Sequence, residues 1–434
     1  MTTMSQTYRC LFLEEGKPMK DTGEKRFDML AKPKKQAWYL KPVAWAIALP
    51  TAWAHGLKVN KVNMAGLKPP YILLCTHHSF IDFSVTTAAI FPHSANYVVA
   101  IDGFIKRESL LRNVGCICKR KFTNDIVLVR QIEHSLKVNK TICAIYPEAR
   151  YCIDGTTSLL PESLGKMCKV MKHPIVVLNM HGDHLQQPVW NLTKRKIKLM
   201  ADMTQIVTAE EIGSLTVAEI NDRIQKAFEY DEYRYLKASG QRLVSPKRAE
   251  GLHRVLYQCP HCLTESQMDS QGDRLICGHC GKTWIMSDQG DLNALEGQTE
   301  FVRIKDWYEW ERANVRKQIE DGTYRFEDDV HVDSLPNAKG YIRLGTGKLV
   351  HDLNGYHLWG TFDGEEFRLE KEPLSLYSVH IEYDYLGKGA DCIDLSTLED
   401  TYYLYPVHAK NVVTKLHFAT EELFKVVQAQ KKAK

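Results

Sequence analysis

The 434-residue sequence has no uninterrupted apolar run of the roughly 18 residues that a membrane-spanning helix needs. The nearest approach, AWYLKPVAWAIALPTAWAHGL over 37–57, is broken by Lys41, Pro42, Pro50 and His55. The opening MTTMSQTYRC lacks the charged-then-apolar build of a secretory signal. Charge of one sign is also scarce: the net value is +4, too small to mark a nucleic-acid binder on charge alone. There is no internal repeat, and the QAQKKAK tail is the sole low-complexity tract. Cysteine is not scarce, with 12 residues, but a disulfide-like framework is missing. Eight cysteines are scattered, several inside apolar runs (Cys75, Cys116, Cys118, Cys143), so a cytosolic chain with mostly reduced thiols is expected.

What is present is the composition of a folded protein, 44% hydrophobic and 25% charged, long enough for two to four domains. The positive charge is unevenly placed. Residues 1–60 carry ten Lys and Arg against five acids, and 104–140 carry nine against three. Such segments point to an anionic partner: a membrane surface, a phosphorylated substrate or nucleic acid. Over 61–205, strand-like runs (71–75, 97–101, 141–146, 174–180, 195–203) alternate with helix-like stretches such as DIVLVRQIEHSLKVNK. This βαβ rhythm predicts an α/β fold, a mixed sheet with helical cover, closed by one helix over 216–238. SGQRLVSPKR then reads as a linker. An amphipathic helix is expected near 303–322. From 335 the texture becomes short alternating runs divided by glycines, a mostly antiparallel β module ending in a helix from Thr420.

Between these regions stand Cys259-Pro260-His261-Cys262 and Cys277-Gly278-His279-Cys280. Each C-x2-C forms a knuckle that turns two thiolates toward one point, and two knuckles complete a tetrahedral Zn2+ site. Gly278 and Gly281 would supply turn freedom. Four protein ligands leave no open position, so the zinc is expected to be structural, and His261 and His279 are bystanders.

The chemistry that stands out begins at Cys75-Thr76-His77-His78-Ser79-Phe80-Ile81-Asp82. Residues five apart on one helix lie roughly 140° apart, so His77 and Asp82 cannot meet there. They can meet if His77 is in a loop and Asp82 in the first turn of the next helix. Ser79 and Asp82 form an S-x-x-D capping pattern that would open a helix near Phe80. Asp82 could then hold one ring nitrogen of His77 and leave the other to take a proton. The bland alternative is a helix cap beside two loop histidines.

A strand, then Thr76-His77-x-Ser79-x-x-Asp82, then an apolar helix resembles the first motif of the glycerolphosphate and lysophosphatidate acyltransferase family, with Thr76 in place of the usual asparagine. Three further blocks follow in family order. Gly115-Cys116-Ile117-Cys118-Lys119-Arg120-Lys121 resembles the glycine-to-arginine second motif. Pro147-Glu148-Ala149-Arg150 resembles the third, one residue short. His173-Pro174-Ile175-Val176-Val177 is the proline-led fourth strand.

The resemblance covers roughly residues 37–240. It implies direct acyl transfer from acyl-CoA or acyl carrier protein to the hydroxyl of a lysophospholipid such as 1-acylglycerol 3-phosphate. His77 would be general base and Asp82 its orienting partner. Gly115, Lys119, Arg120, Glu148 and Arg150 would form the substrate site, with Lys121 also able to serve as a phosphate ligand. Trp38, Trp45 and Trp53, preceded by Lys32, Lys34 and Lys35, fit an interfacial segment on an anionic leaflet.

The expected organisation is therefore a basic N-terminal region over 1–60 with an interfacial segment over 37–57, and an acyltransferase domain over 61–240. A zinc ribbon over 254–288, a connecting helix over 300–322 and a β-rich module over 335–434 complete it. The expected location is cytoplasmic, peripheral on the cytoplasmic face of a membrane. The competing reading is a nucleic-acid-binding or scaffold protein with an inactive acyltransferase-like domain. The ribbon has little excess positive charge and lacks aromatic-plus-basic interleaving, which argues against nucleic acid.

Overall fold

The computed structural model describes residues 25–433 except Lys388, so the first 24 residues of the basic N-terminal region lie outside the described residues. The first sheet has seven strands: β1 (Lys58–Val62), β2 (Ile72–Cys75), β3 (Ala95–Ala100), β4 (Ile117–Lys119), β5 (Ile142–Ile145), β6 (Ile175–His181) and β7 (Met200–Val207). Their order is β1-β7-β6-β2-β5-β3-β4, parallel except for the antiparallel pair β6–β7. The accompanying helices are α1 (Leu40–Ala54), α2 (Asp82–Ile90), α3 (Glu108–Val114), α4 (Ile126–Lys137), α5 (Ser163–Met171), α6 (Asp183–Gln186), α7 (Val217–Ala227) and α8 (Glu232–Ala238).

Strands β2 and β5, ILLC and ICAI, are buried at every residue, as parallel strands covered on both faces must be. The two-residue period sorts their side chains. Ile72, Leu74, Cys143 and Ile145 pack with Ile132 and Leu136 of α4 and Ile220 and Ile224 of α7. On the other face, Leu73, Cys75 and Ala144 share a cluster with Leu335, Tyr403 and Tyr405 from far along the chain. At one edge β1, KVNKV, is mostly exposed, and its lysines guard against edge pairing. The single helix expected over 216–238 is in fact two. Helix α7 stops at Ala227, and Asp231 caps α8 by accepting the Arg234 amide at 2.9 Å.

The cysteine-bearing segment forms β8 (Met268–Gln271), β9 (Arg274–Cys277), β10 (Thr283–Met286) and β11 (Leu292–Ala294), an antiparallel sheet in the order β11-β10-β9-β8. Helix α9 (Ile304–Glu320) follows, and its buried Trp307 meets Trp284 of β10 edge-on at 4.9 Å. The second large sheet contains β12 (Arg325–Ser334), β13 (Ile342–Asp352), β14 (Gly355–Phe362), β15 (Glu365–Lys371), β16 (His380–Glu382), β17 (Cys392–Ser396) and β18 (Thr401–Pro406). It is antiparallel throughout, in the order β15-β14-β13-β12-β18-β17-β16. Asp363-Gly364 joins β14 to β15 with both residues at positive φ, 52° and 77°, as a tight hairpin turn requires.

Helix α10 (Val413–Ala433) closes the fold. It begins before the expected Thr420, because the strand-like VVTKLHF is recruited into a buried helical face. One core cluster contains Trp190 and Leu236 of the first region, Trp284 of the ribbon, Tyr308 of α9 and Leu358 and Leu395 of the second sheet. The ribbon is thus packed into the protein rather than tethered to it. Among the described residues no helix is long and apolar enough to cross a membrane.

Candidate active site and candidate metal centre

Strand β2 delivers the chain to His77. Thr76, which stands where the resemblance has asparagine, ties this loop to β6: its amide donates to the Leu178 carbonyl at 3.1 Å, and its hydroxyl accepts the Met180 amide at 2.9 Å. The His77 carbonyl accepts the Cys152 amide at 2.8 Å. Its ring Nδ1 lies 2.8 Å from Asp82 Oδ2. That same oxygen accepts the His78 amide at 2.7 Å, and Oδ1 accepts the Ser79 amide at 3.0 Å. Asp82 is therefore held by three donors in the first turn of α2, where a negative charge is favoured by the helix dipole. Only half of the expected capping pattern forms. The Ser79 hydroxyl caps nothing, and the helix begins at Asp82 rather than Phe80.

The Asp82 carboxylate selects the Nδ1–H tautomer of His77, leaving the lone pair on Nε2. The His77 side chain is 22% exposed, whereas that of Asp82 is 2% exposed. The rings of Tyr146 and Tyr151 pack against the imidazole at 4.5 and 4.3 Å, and Phe80 extends the aromatic wall beside Tyr151. His78 points into the interior, and burial, with His184, His181 and His77 nearby, pushes its basicity down. What the pair can do chemically is take a proton from a hydroxyl at Nε2 and stabilise the resulting imidazolium through Asp82.

The residues expected to hold a phosphate are placed differently. Gly115 ends α3 at φ 98°, and a Cβ there would fall 2.6 Å from Asn96 Nδ2 and 2.8 Å from the Lys34 carbonyl. A tight helix end accounts for this glycine. Lys119 donates to the Thr123 carbonyl and hydroxyl, and burial lowers its ammonium to about 8. Arg120 is 1% exposed and donates to the carbonyls of Leu335 and Pro336 and the hydroxyl of Thr401. Lys121 contacts Asp102 at 3.0 Å and Asp394 at 3.6 Å.

Glu148 is buried beside the Tyr230 hydroxyl, and burial pushes its carboxyl up to about 8. Arg150 pairs at 3.0 Å with Glu421 of α10, which also accepts from Arg312 and Ser378. Burial pushes the Glu421 carboxyl up, but His417, Arg312 and Arg150 bring it below the usual carboxylate range. Arg120, Lys121 and Arg150 thus fasten the second sheet and α10 to the first, instead of forming an open cationic pocket.

The motifs do not mark Tyr146, Tyr151 or Glu421. The two tyrosines flank Pro147–Arg150 directly. Glu421 is 271 positions from its partner, and nothing local announces it.

The four cysteines do converge: Cys259, Cys262, Cys277 and Cys280 place their sulfurs within 4.8 Å of one another. The Cys259–Cys280 and Cys262–Cys277 separations are 3.8 and 3.7 Å. Four thiolates about 2.3 Å from one ion would be about 3.8 Å apart in a tetrahedron, so this donor set fits a metal. The knuckles match in their backbone. Leu263 and Gly281 donate to the carbonyls of Cys259 and Cys277, each at 2.9 Å and each from positive φ, 65° and 76°. Gly281 therefore has the expected role, Gly278 does not adopt positive φ, and Leu263 takes the corresponding position in the first knuckle. His261 and His279 lie outside the sulfur cluster.

No family model and no curated protein matches the chain. Among solved structures it is similar to the 1-acyl-sn-glycerophosphate (LPA) acyltransferase, PlsC, from Thermotoga maritima. Identity is 12% and the TM-score 0.38, over 47% of this chain and 81% of that one.

Proposed function

We propose that this chain is an acyltransferase that moves a fatty acyl group from a thioester, on coenzyme A or acyl carrier protein, to a hydroxyl of a lysophospholipid-like acceptor. The observation that carries this reading is the His77–Asp82 pair: 2.8 Å, oriented by two backbone amides, with one imidazole edge toward the outside. His77 Nε2 takes the acceptor proton as the oxygen attacks the thioester carbonyl. The C–S bond then breaks, and the imidazolium returns the proton to the leaving thiolate. Asp82 is the positioning residue. Because the guanidinium groups of Arg120 and Arg150 are engaged elsewhere, this reading does not rest on them as phosphate ligands.

The acceptor would be met at an anionic membrane surface on the cytoplasmic side. Supporting this, α1 and its approach expose Trp38, Tyr39, Val43, Ile47 and Trp53. Trp45 packs on the half-exposed Phe91 at the end of α2, while Lys32, Lys34 and Lys35 precede the helix. Flotation with anionic vesicles is expected, and is expected to weaken strongly when Trp38, Ile47 and Trp53 are replaced by Ser. Undiminished flotation of that folded variant would sink the membrane reading. The four-cysteine site is proposed to hold a structural Zn2+.

The engaged arginines favour a second reading, a scaffold protein with an inactive acyltransferase-like domain. One experiment separates the two: transfer of labelled acyl groups from acyl-CoA and acyl carrier protein to a panel of lysophospholipids and glycerol 3-phosphate, in wild type and His77→Ala. Activity that falls by about 10²–10⁴-fold in a folded variant supports the enzyme. Transfer to no acceptor, or transfer unaffected by the substitution, supports the scaffold.

A further inference from the structure

Helix α9 opens against the usual rule. Arg303-Ile304-Lys305 sets two cations at the end where a helix carries partial positive charge, and Arg303 offers no capping oxygen. The Asp306 and Trp307 amides donate to the Arg303 carbonyl at 3.1 and 3.3 Å. Those of Ile304 and Lys305 have no acceptor among the described residues. This helix start forms one wall of a cavity of about 210 Å³. Helix α8 supplies a second wall with Arg234 and Lys237, and the ribbon turn between β10 and β11 supplies a third with Gly290 and Asp291. A Cβ on Gly290 would fall 2.2 Å from Tyr233 Cδ1, so the turn can lie this close to α8 only with glycine there.

The charges in this cavity do not cancel. Asp291 pairs with Lys237 at 2.6 Å, and Asp231 pairs with Arg303. Arg234 and Lys305 are left without an acidic partner among the described residues. Tyr233 also lines the cavity; it is 9% exposed, and its hydroxyl has no hydrogen-bond partner among them. We propose that the cavity is an anion site that takes a phosphate group, held by Arg234, Arg303, Lys305 and the opening amides of α9. Guanidinium forks and helix-start amides both match phosphate oxygens in geometry and in charge. The volume sets the size of the ligand. Pockets for drug-sized molecules have about 300–1,000 Å³, so this one takes free phosphate or a short phosphate ester. The bound anion bridges α8 and α9 where the ribbon turn meets them.

No residue that lines the cavity is among those that contact His77 or Asp82, so the site stands apart from the proposed acyl transfer. Its test needs no transfer assay. Isothermal titration of the full-length protein with inorganic phosphate, against sodium chloride at equal ionic strength, should show saturable binding. That binding is expected to be unchanged in His77→Ala and at least about tenfold weaker when Arg234→Gln and Lys305→Gln are combined. Phosphate should also raise the melting temperature of wild type and not that of the double variant. No saturable binding, or binding that the double variant retains in full, overturns the inference. Binding that falls in His77→Ala alone belongs to the acyl-transfer site and overturns it too.

A second titration, with glycerol 3-phosphate, separates the two sources of the phosphate. Equal affinity for both compounds assigns the site to the free ion, and tighter binding of the ester assigns it to a phosphate ester. Should the double variant not fold, Lys305→Gln alone decides. Weaker phosphate binding in that variant supports the site, and unchanged binding overturns it.

Discussion

The two large sheets each have seven strands, yet they are built on different rules. In the first, the parallel strands β2 to β6 force their connections to cross the sheet, and the crossings leave loops and helix starts at the strand ends. His77 and Asp82 lie at one such end, after β2 and at the start of α2. In the second, the strands are antiparallel, and Asp363-Gly364 is the kind of two-residue turn that joins neighbours without a crossing. What the second sheet and α10 offer the first is a set of acceptors: the Leu335 and Pro336 carbonyls for Arg120, Asp394 for Lys121 and Glu421 for Arg150. Cations that look like ligand-binding groups within one region can be fastenings once a second region is folded against it.

That contrast can be broken at three strengths. The largest effect is expected from metal removal. The ribbon shares a core with helix α8 of the first region and with the second sheet, so stripping metal from the four cysteines with a chelator should unfold the ribbon and lower the melting temperature of the whole chain, with recovery on adding zinc. Melts of the apo and reloaded protein check this. An unchanged transition would mean that the sheets stand without the ribbon.

Next, Glu421→Ala leaves Arg150 buried without its acid and takes from Arg312 the nearest of its carboxylates, with Glu309 and Glu422 remaining, at a cost of about 3–5 kcal/mol. Urea unfolding followed by circular dichroism and by tryptophan fluorescence should show one earlier transition in both signals. A loss below about 1 kcal/mol would show that the pair does not fasten the sheets.

The third effect is internal to the first region and shows as a slope with pH. Burial raises the Glu148 carboxyl from 4.5 to about 8, so the folded chain keeps a proton that the unfolded chain has released. The stability this gives is full below about 4.5 and is lost as pH rises through about 8, at about 1.4 kcal/mol per pH unit within that window. A glutamine side chain in the same place has no proton to lose. Glu148→Gln should therefore gain on wild type steadily between pH 5 and 8 in thermal melts, and a constant difference would count against the buried acid.

Much of this was legible because it is local. ILLC and ICAI declare buried strands by having no polar residue, and C-x2-C twice declares its own geometry. The His77–Asp82 pair could be anticipated because both residues lie within one strand-to-helix turn. What could not be read depends on distance or on competition between elements. The break at Phe228–Asp231 arises from a cap at Asp231 within an otherwise helical stretch, and it carries Tyr230 to Glu148. Helix α10 overrides strand-like residues because their burial is settled by α9 and the second sheet.

The Arg150–Glu421 pair also has a temporal side. Its two halves are separated by 271 positions, so a ribosome adding ~5–20 residues per second releases the arginine roughly 14–54 s before its acid. Through that interval a cation intended for the interior must remain in water or borrow a transient anion. The first sheet can therefore be assembled early in translation, but the buried corner beside Pro147 and Glu148 closes only after α10 has been made.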